Sequence, residues 1–312
     1  MKTALITGAY GQDGYFLTKY LVGLGNYKVI CTDISDREKD EIYTDDSVYI
    51  EVLDITKTAD TDEILKKYKP DEIYHLAAFA TPIMSWEHPE QVILINGYAT
   101  TSLLDSVHRN VPDAKFFFSS SGKIFSLGSK CPQKEDTNID PLDPYSLGKY
   151  IGHQSVKMYR EKYGMFACNG ILYNHESYLK DDNFVTYKIC KNARLLKEGK
   201  INSFSLYNLD SEIDLGDPRD YVRAMHMILQ QENPDDYVVS MNKAVSIREI
   251  CLKVGEILGI PDILSCIEVK NPSIPGERSC RFGDNSKLRS IGWEPSFDLE
   301  DTLKMILDNV VS

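Results

Sequence analysis

Short apolar runs rich in β-branched residues alternate with longer amphipathic segments over the first half of the chain. The runs of strand length cover 3–6, 28–32, 48–52, 72–76, 115–119 and 166–172. The segments with helical periodicity cover 14–24, 60–68, 91–109 and 144–163. This alternation predicts repeated βαβ units, and therefore an α/β fold with a doubly wound parallel sheet buried on both faces. In such sheets, ligands bind beyond the carboxyl ends of the strands, where the strand order reverses.

The pattern weakens after about Asn174. A loop and one amphipathic helix fit 175–200, and a helix over 221–231, a strand over 236–241 and a helix over 246–258 follow. Ser246, with Glu249 three residues later, is typical of a capped helix start. We predict two regions that pack directly on each other. Residues 1–173 with about 210–245 form the sheet domain, and residues 174–209 with 246–312 form a smaller α/β cap.

Composition and charge narrow the classes of partner. The 312 residues include 35 Lys and Arg against 47 Asp and Glu, a formal net charge of -12. Because this charge repels phosphate backbones and anionic lipids, we expect neither nucleic acid nor a membrane as a partner. No stretch approaches the ~20 apolar residues of a membrane span. Seven cysteines without a Cys-x-x-Cys pair predict reduced, mostly buried thiols, no metal site and a cytoplasmic location.

A glycine-rich turn follows the first predicted strand. The motif "TGAYGQDG" spaces Gly8, Gly11 and Gly14 as G-x-x-G-x-x-G between a strand and a helix. Such glycines can simply form turns, but they also let backbone amides approach a diphosphate. Asp33 closes the second strand, where a carboxylate accepts hydrogen bonds from ribose hydroxyls and repels a 2′-phosphate. The turn therefore predicts NAD as a cofactor. The ends of the third and fourth strands are expected in the same cleft, although they are also compatible with ordinary strand termination: Asp54, Ile55, Leu76, Ala77 and Ala78.

A tyrosine and a lysine lie four residues apart at the start of the helix predicted over 144–163. This spacing places Tyr145 and Lys149 on one helix face, where an ammonium can stabilise a phenolate and lower its pKa. A phenolate can take the proton of a substrate hydroxyl while hydride leaves the same carbon, which is alcohol oxidation. The pair occurs by chance in many helices. Ser119, Ser120 and Ser121, at the end of the fifth strand, bring hydroxyls to the same crevice and strengthen the prediction.

The motifs together resemble the extended short-chain dehydrogenase/reductases that act on nucleotide sugars, and within them the GDP-mannose 4,6-dehydratase family. The resemblance covers nearly the whole chain and rests on "TGAYGQDGYFL", "YHLAA", "PYSLGK", "NGILYNHES" with "NFVTYKI", "LYNLDSEIDLGDPRDYVRAMHMILQ" and "PGERSCRFGDNSKL". It implies a Rossmann fold with a GDP-sugar cap, and a homodimer through the paired helices 91–109 and 144–163. Matching cofactor positions are Gly8, Gly11, Gln12, Asp13, Asp54, Ile55, Tyr145, Lys149 and His175. Matching GDP-sugar positions are Asn174, Val185, Lys188, Arg219 and Glu277.

The chain departs from the family pattern next to the active-site hydroxyl. In the dehydratases, the residue two positions after this hydroxyl is a glutamate that removes the C5 proton; here the hydroxyl is Ser121 and that residue is Lys123. A protonated amine cannot accept a proton, so we predict that elimination fails while hydride transfer at C4 survives. Lys123 could instead act as a base with a pKa lowered by burial, or be a surface residue in a shifted turn.

Segment 34–46 also lacks the basic residues that the family uses for NADP and a tetramer contact.

We therefore expect a NAD-dependent enzyme acting at C4 of a GDP-linked manno-configured sugar, with Ser121, Tyr145 and Lys149 as catalytic residues. An enzyme that has lost elimination at C6 fits a substrate with an extended C6, so GDP-D-glycero-α-D-manno-heptose is preferred and GDP-mannose is the alternative. Either would feed capsule polysaccharide synthesis. A true 4,6-dehydratase, a 4-keto reductase, a 3,5-epimerase and a non-catalytic NAD-binding protein stay open.

Overall fold

The fold is built around one large parallel sheet, as seen in a computed structural model that describes residues 1–35, 41–79, 83–270 and 282–310. The strands are β1 (Lys2–Thr7), β2 (Tyr27–Asp33), β3 (Val48–Val52), β4 (Glu72–His75), β5 (Lys115–Ser121), β6 (Ala167–Leu172), β7 (Asn174–His175), β8 (Phe204–Leu206), β9 (Glu212–Gly216), β10 (Tyr237–Val239), β11 (Ala244–Ser246) and β12 (Ile267–Val269). The α-helices are α1 (Gln12–Gly23), α2 (Thr58–Tyr68), α3 (Pro89–Ile93), α4 (Ala99–Asn110), α5 (Pro144–Tyr163), α6 (Val185–Lys197), α7 (Pro218–Leu229), α8 (Ile247–Leu258), α9 (Ser286–Ser290) and α10 (Leu299–Asn309).

Seven strands form the large sheet in the order β10-β6-β5-β4-β1-β2-β3, with every neighbouring pair parallel. Successive residues of β1 alternate between two clusters. Ala4 and Ile6 pack with α1 and α7, whereas Leu5 packs with α2, α4 and α5. The sheet is therefore covered on both faces, which confirms the predicted doubly wound α/β fold. The strand order reverses between β1 and β4, so the crevice expected for a ligand lies beyond Thr7 and His75.

Local signals fix the boundaries of α5. Asp143 accepts a hydrogen bond from the Ser146 amide at 2.7 Å and Pro144 occupies the first turn, while Gly164 ends the helix at a φ of 69°. These are the residues that favour a helix start and a helix end. The predicted single helix over 91–109 is interrupted, because a π-helical turn over Leu94–Tyr98 separates α3 from α4. Periodicity alone does not reveal such a turn.

The cap has its own hydrophobic core, formed mainly by α6, α8 and α10 with the short strands. Its small sheets have the orders β11-β9-β7 and β12-β8. The capping box predicted for α8 is present, with the Glu249 amide donating to Ser246 Oγ at 3.1 Å. Leu288 and Trp293, by contrast, pack with α1 and α7 against the large sheet. The domain boundaries inferred from the sequence, 1–173 with 210–245 and 174–209 with 246–312, stay a prediction.

Buried cysteines contribute to these cores as expected. Cys31 and Cys168 lie in the core of the large sheet, and Cys190 and Cys251 lie in the cap core. Within the described ranges, no group of three His, Cys, Asp or Glu side chains is arranged to hold a metal ion. The helices in the same ranges are all too short or too polar to span a membrane.

Candidate active site

The glycine-rich turn brings the chain back on itself between β1 and α1. Gly8 has a φ of 72°, and a Cβ at this position would lie 2.7 Å from the backbone of Ala77. A Cβ on Gly14 would lie 2.5 Å from the Gly8 carbonyl oxygen. Both positions therefore require glycine on steric grounds. The turn directs the N-terminus of α1 towards the crevice at the ends of β1 and β4.

A cavity of about 560 Å³, which we call the Gly-rich pocket, opens in front of this turn. Eleven residues that the sequence analysis assigned to the cofactor line it: Gly8, Gly11, Gln12, Asp13, Gly14, Asp33, Asp54, Ile55, Leu76, Ala77 and Ala78. Asp33 accepts hydrogen bonds from the backbone amides of Tyr10, at 3.0 Å, and Ile34, at 2.8 Å. These bonds hold the carboxylate at the end of β2, where each oxygen keeps a second lone pair for a ligand hydroxyl.

Asp54 is held at the end of β3 in a similar way. Its Oδ1 accepts from the Thr56 hydroxyl at 2.6 Å and from the Thr56 amide at 3.0 Å. The hydroxyl of Thr56 is the main group that lowers the pKa of Asp54 below its usual value, against the effect of burial. The Gly-rich pocket therefore presents an ionised carboxylate on this wall.

A second cavity of about 390 Å³, which we call the Ser121 pocket, adjoins the first and shares Asp13, Leu76 and Ala78 with it. It is lined by Ser119, Ser120, Ser121, Lys123, Tyr145, Lys149, Asn174, His175, Glu176, Lys180 and Val185, among others. The fold thus brings the predicted catalytic residues together at the edge of the predicted cofactor site. The elements responsible are β5, the first turns of α5, and β7.

Lys149 is buried at 3% exposure. Its Nζ donates to the Ser119 carbonyl oxygen at 2.7 Å and lies 3.4 Å from Ser119 Oγ. Burial lowers the pKa of Lys149 to about 8, against a smaller effect of Asp13 that favours the charged form. The ammonium is therefore held at the end of β5.

Burial dominates the proton affinity of Tyr145. It raises the pKa to about 12, and a hydrogen bond from Ser121 acts in the opposite direction. That Lys149 lowers this pKa stays a prediction. The ammonium of Lys149 is engaged by Ser119, and desolvation of the phenol dominates.

Lys123 lies in a short 3₁₀ turn, Gly122–Ile124, directly after Ser121. Its backbone amide donates to Ser121 Oγ at 3.2 Å, and its exposed side chain lines the rim of the Ser121 pocket. It also lines a recess of about 200 Å³ that includes Glu212 and Asp214. Lys123 thus faces the same space as Ser121.

A polar network joins the Gly-rich turn to β7. His175 Nε2 lies 2.8 Å from Asp13 Oδ1, and His175 Nδ1 lies 2.7 Å from the Tyr173 carbonyl oxygen. Gln12 Nε2 donates to the His175 carbonyl oxygen at 3.0 Å. His175 also stacks on Tyr221, with ring centroids 4.2 Å apart. The two cofactor positions Asp13 and His175 are therefore in direct contact.

Two of the positions matched to the GDP-sugar lie outside the Ser121 pocket. Arg219 donates two hydrogen bonds to Asp217, at 2.8 and 2.7 Å, and its guanidinium stacks on Phe297 at 3.5 Å. Neither Arg219 nor Lys188 is among the residues that line the Ser121 pocket. Glu277 lies outside the described residues. Asn174 and Val185 do line the pocket.

Two pocket residues were missed by the sequence analysis. Lys180 lines both pockets and is the one basic residue among the described residues that line the Gly-rich pocket. Glu176, at 4% exposure, lines the Ser121 pocket. Both lie between His175 and Val185, two positions that the family resemblance had matched. Their position between two matched residues was the signal in the sequence that could have identified them.

The fold and the two adjoining pockets define an α/β enzyme of the short-chain dehydrogenase/reductase type. A family model described as GDP-mannose 4,6 dehydratase matches residues 5–306. The chain belongs to this family.

Individual relatives agree with that assignment. A GDP-mannose 4,6-dehydratase of Vibrio cholerae is 31% identical, over 99% of this chain and 94% of that protein. One of Yersinia enterocolitica is 35% identical, over 96% of this chain and 91% of that protein. Among solved structures, the UDP-glucose 4-epimerase of Thermotoga maritima superposes with a TM-score of 0.85 at 21% identity, covering 98% of both chains. The dTDP-glucose 4,6-dehydratase of Bacillus anthracis also gives 0.85, at 20% identity, covering 99% of this chain and 96% of that chain. These structures share the fold.

Proposed function

We propose that this protein oxidises C4 of a GDP-linked manno-configured sugar with NAD as the hydride acceptor and releases the 4-keto sugar without loss of water. The observation that carries the proposal is the placement of Ser121, Tyr145 and Lys149 in one pocket that adjoins the Gly-rich pocket. A hydroxyl, a phenol and an ammonium at one site are the groups that alcohol oxidation needs.

The residues of the Gly-rich pocket fit a nicotinamide dinucleotide. The space that a Cβ on Gly8 or Gly14 would fill lets the backbone form a tight turn at the N-terminus of α1, which suits a diphosphate. Asp33 suits ribose hydroxyls and opposes a 2′-phosphate, which favours NAD over NADP. When bound, the nicotinamide supplies the acceptor for the C4 hydride.

Ser121 and Tyr145 orient the C4 hydroxyl and remove its proton. Ser121 orients the C4 hydroxyl, and the phenolate of Tyr145 takes its proton as the carbonyl forms. Because burial raises the pKa of Tyr145 to about 12, a nearby positive charge has to stabilise the phenolate during the reaction. Lys149 is the buried ammonium on the same helix face that can supply it.

Retention of the C6 oxygen is inferred from Lys123. A protonated amine at the rim of the pocket has no lone pair with which to remove the C5 proton. We therefore prefer GDP-D-glycero-α-D-manno-heptose as substrate, with GDP-mannose as the alternative. A homodimer through the helical segments 91–109 and 144–163, a cytoplasmic location and a role in capsule polysaccharide synthesis stay predictions.

A second candidate is the complete 4,6-dehydratase reaction, and the relatives favour it over the first. That activity is the printed name of the relatives from Vibrio cholerae and Yersinia enterocolitica. Two carboxylates also lie near Ser121: Glu176 in the Ser121 pocket and Glu212 in the adjoining recess. Either carboxylate can accept the C5 proton, which a protonated Lys123 cannot do.

Product mass distinguishes the two candidates. The protein is mixed with NAD and, in separate reactions, with GDP-mannose and the GDP-manno-heptose. Under the first candidate, the product is lighter than the substrate by two hydrogens and NADH accumulates in step with it. Under the second, the product is lighter by one water and NADH does not accumulate. The Lys123→Glu variant provides the matched comparison, since it should gain water loss only if position 123 limits elimination.

A further inference from the structure

A buried carboxylate of the Ser121 pocket is not used in the hydride transfer proposed above. Glu176 is 4% exposed and follows His175 at the end of β7. Its Oε2 accepts a hydrogen bond from the Thr186 amide at 3.2 Å, and the Tyr187 amide donates to the same carboxylate. These amides belong to the first turn of α6, ten residues further along the chain.

The first turn of α6 needs a partner from elsewhere. The residue before the helix is Phe184, whose apolar side chain makes no capping hydrogen bond. The amides at the start of any helix have no acceptor within the helix, and a carboxylate placed there also interacts favourably with the helix dipole. Glu176 fills this role from outside the helix.

The segment that carries Glu176 is anchored on the Gly-rich turn. On one side of Glu176, His175 contacts Asp13 at 2.8 Å; on the other, the Ser177 hydroxyl donates to Gln12 Oε1 at 2.9 Å. Alternate residues of an extended segment point to opposite sides. The segment 175–177 thus holds the start of α1 with its outer two residues and the start of α6 with its middle one.

The position of this turn matters for the Ser121 pocket, because Asn183, Phe184 and Val185 form part of its wall. We propose that Glu176 is a positioning residue for the sugar nucleotide: by capping α6 it fixes the turn that holds Phe184 and Val185 in the wall of the Ser121 pocket. The inference rests on the proposed function, which places the reacting GDP-sugar in this pocket. It adds a residue that neither the hydride-transfer chemistry nor the cofactor site requires.

Three variants test the role. Glu176→Ala removes both the acceptor and the charge, and Glu176→Gln keeps an acceptor oxygen without the charge. Asp298→Ala is the matched control, because Asp298 caps α10, which packs on α6 in the same cap core, and is not a lining residue of either pocket. Calorimetric titration with GDP and, separately, with NAD measures the two affinities in each protein.

We expect Glu176→Ala to weaken GDP binding about tenfold and Glu176→Gln about threefold, in line with the loss of a helix cap and of its charge. NAD affinity should stay within about twofold in both variants, and Asp298→Ala should change neither affinity beyond that range. Wild-type GDP affinity in Glu176→Ala, equal weakening of GDP and NAD binding, or the same GDP effect in Asp298→Ala would each overturn the proposal.

Amide exchange separates this inference from the proposed function. If the wild-type protein binds no GDP, the proposed substrate class is wrong, and capping is then decided by hydrogen exchange at Thr186 and Tyr187. Their amides should exchange about tenfold faster in Glu176→Ala than in the wild-type protein. Unchanged exchange would refute the role of Glu176. If Glu176→Ala does not fold, Glu176→Gln decides the same question with an expected threefold change.

Discussion

The two adjoining pockets are built from different kinds of sequence. The Gly-rich pocket takes nearly all its residues from the ends of β1 to β4 and the turns that follow them, within the first 80 positions. The Ser121 pocket gathers the end of β5, the start of α5, β7 and the start of α6, which are separated by up to 66 residues along the chain, from Ser119 to Val185. One pocket is a series of local motifs, and the other depends on tertiary contacts.

Their charges differ as well. Asp13, Asp33 and Asp54 line the Gly-rich pocket, and each is fixed by named hydrogen bonds. The Ser121 pocket shares Asp13 and Lys180 with it, and adds Glu176 and the lysines at 123 and 149. Carboxylates suit ribose hydroxyls, whereas ammonium groups suit proton chemistry and anionic substrates. The comparison therefore predicts that changes in the first pocket affect NAD binding and folding, and that changes in the second affect binding of the GDP-sugar and turnover.

The largest effect is expected for Tyr145→Phe. Loss of the phenolic oxygen removes the group proposed to take the substrate proton, so turnover should fall about a thousandfold. Affinities for NAD and GDP should stay near wild-type values, measured by calorimetry beside a NADH absorbance assay. Tyr159→Phe is the control on the same helix, since Tyr159 donates to Asp105 and does not line the Ser121 pocket. Retained turnover in Tyr145→Phe would remove the proposed base.

A smaller effect, on the free energy of unfolding, is expected for Gly14→Ala. The new Cβ would lie 2.5 Å from the Ala9 Cα and the Gly8 carbonyl oxygen, so the turn has to shift, at a cost of about 1–3 kcal/mol in the free energy of unfolding. NAD binding should weaken together with stability. Gly23→Ala, in the last turn of the same helix, meets no atom within 4 Å and should stabilise the protein by about 0.5 kcal/mol. Denaturant titration of both variants measures the contrast, and equal effects would contradict it.

This contrast also shows how much the sequence could reveal. The apolar runs of the sequence correspond to β1–β6 because buried parallel strands are continuously apolar, and the helix predicted over 144–163 matches α5. The π-helical turn at 94–98 and the small cap sheets were not found, because tertiary packing determines them. The family resemblance matches Arg219 to the GDP-sugar, and the fold pairs its guanidinium with Asp217 two residues before it. Local motifs located the Gly-rich pocket, whereas Lys180 and Glu176 required the fold.

The ionisation of Lys149 is expected to change the folding stability of the protein with pH. Burial lowers its pKa from 10.5 to about 8 in the folded protein. Between pH 8 and pH 10.5 the unfolded chain therefore binds more protons at this residue than the folded chain, so the contribution of Lys149 to stability rises with pH across this window. The stability of wild-type protein relative to Lys149→Met should increase by about 2 kcal/mol over the window and be flat below it. Chemical denaturation at several pH values measures this difference, and a difference that does not vary with pH would contradict the buried ammonium.

The smallest effects are expected at two helix caps, one on α5 in the large-sheet region and one on α8 in the cap. Asp143 caps α5 by accepting from the Ser146 amide at 2.7 Å, and Ser246 caps α8 by accepting from the Glu249 amide at 3.1 Å. Alanine at either position should lower the free energy of unfolding by about 1 kcal/mol. Only Asp143→Ala loosens the turn that carries Tyr145, so its kcat should also fall by about fivefold, while Ser246→Ala keeps the wild-type kcat. Paired measurements of denaturation and turnover check both statements. Equal kcat values in the two variants would show that the first turn of α5 is held by packing alone.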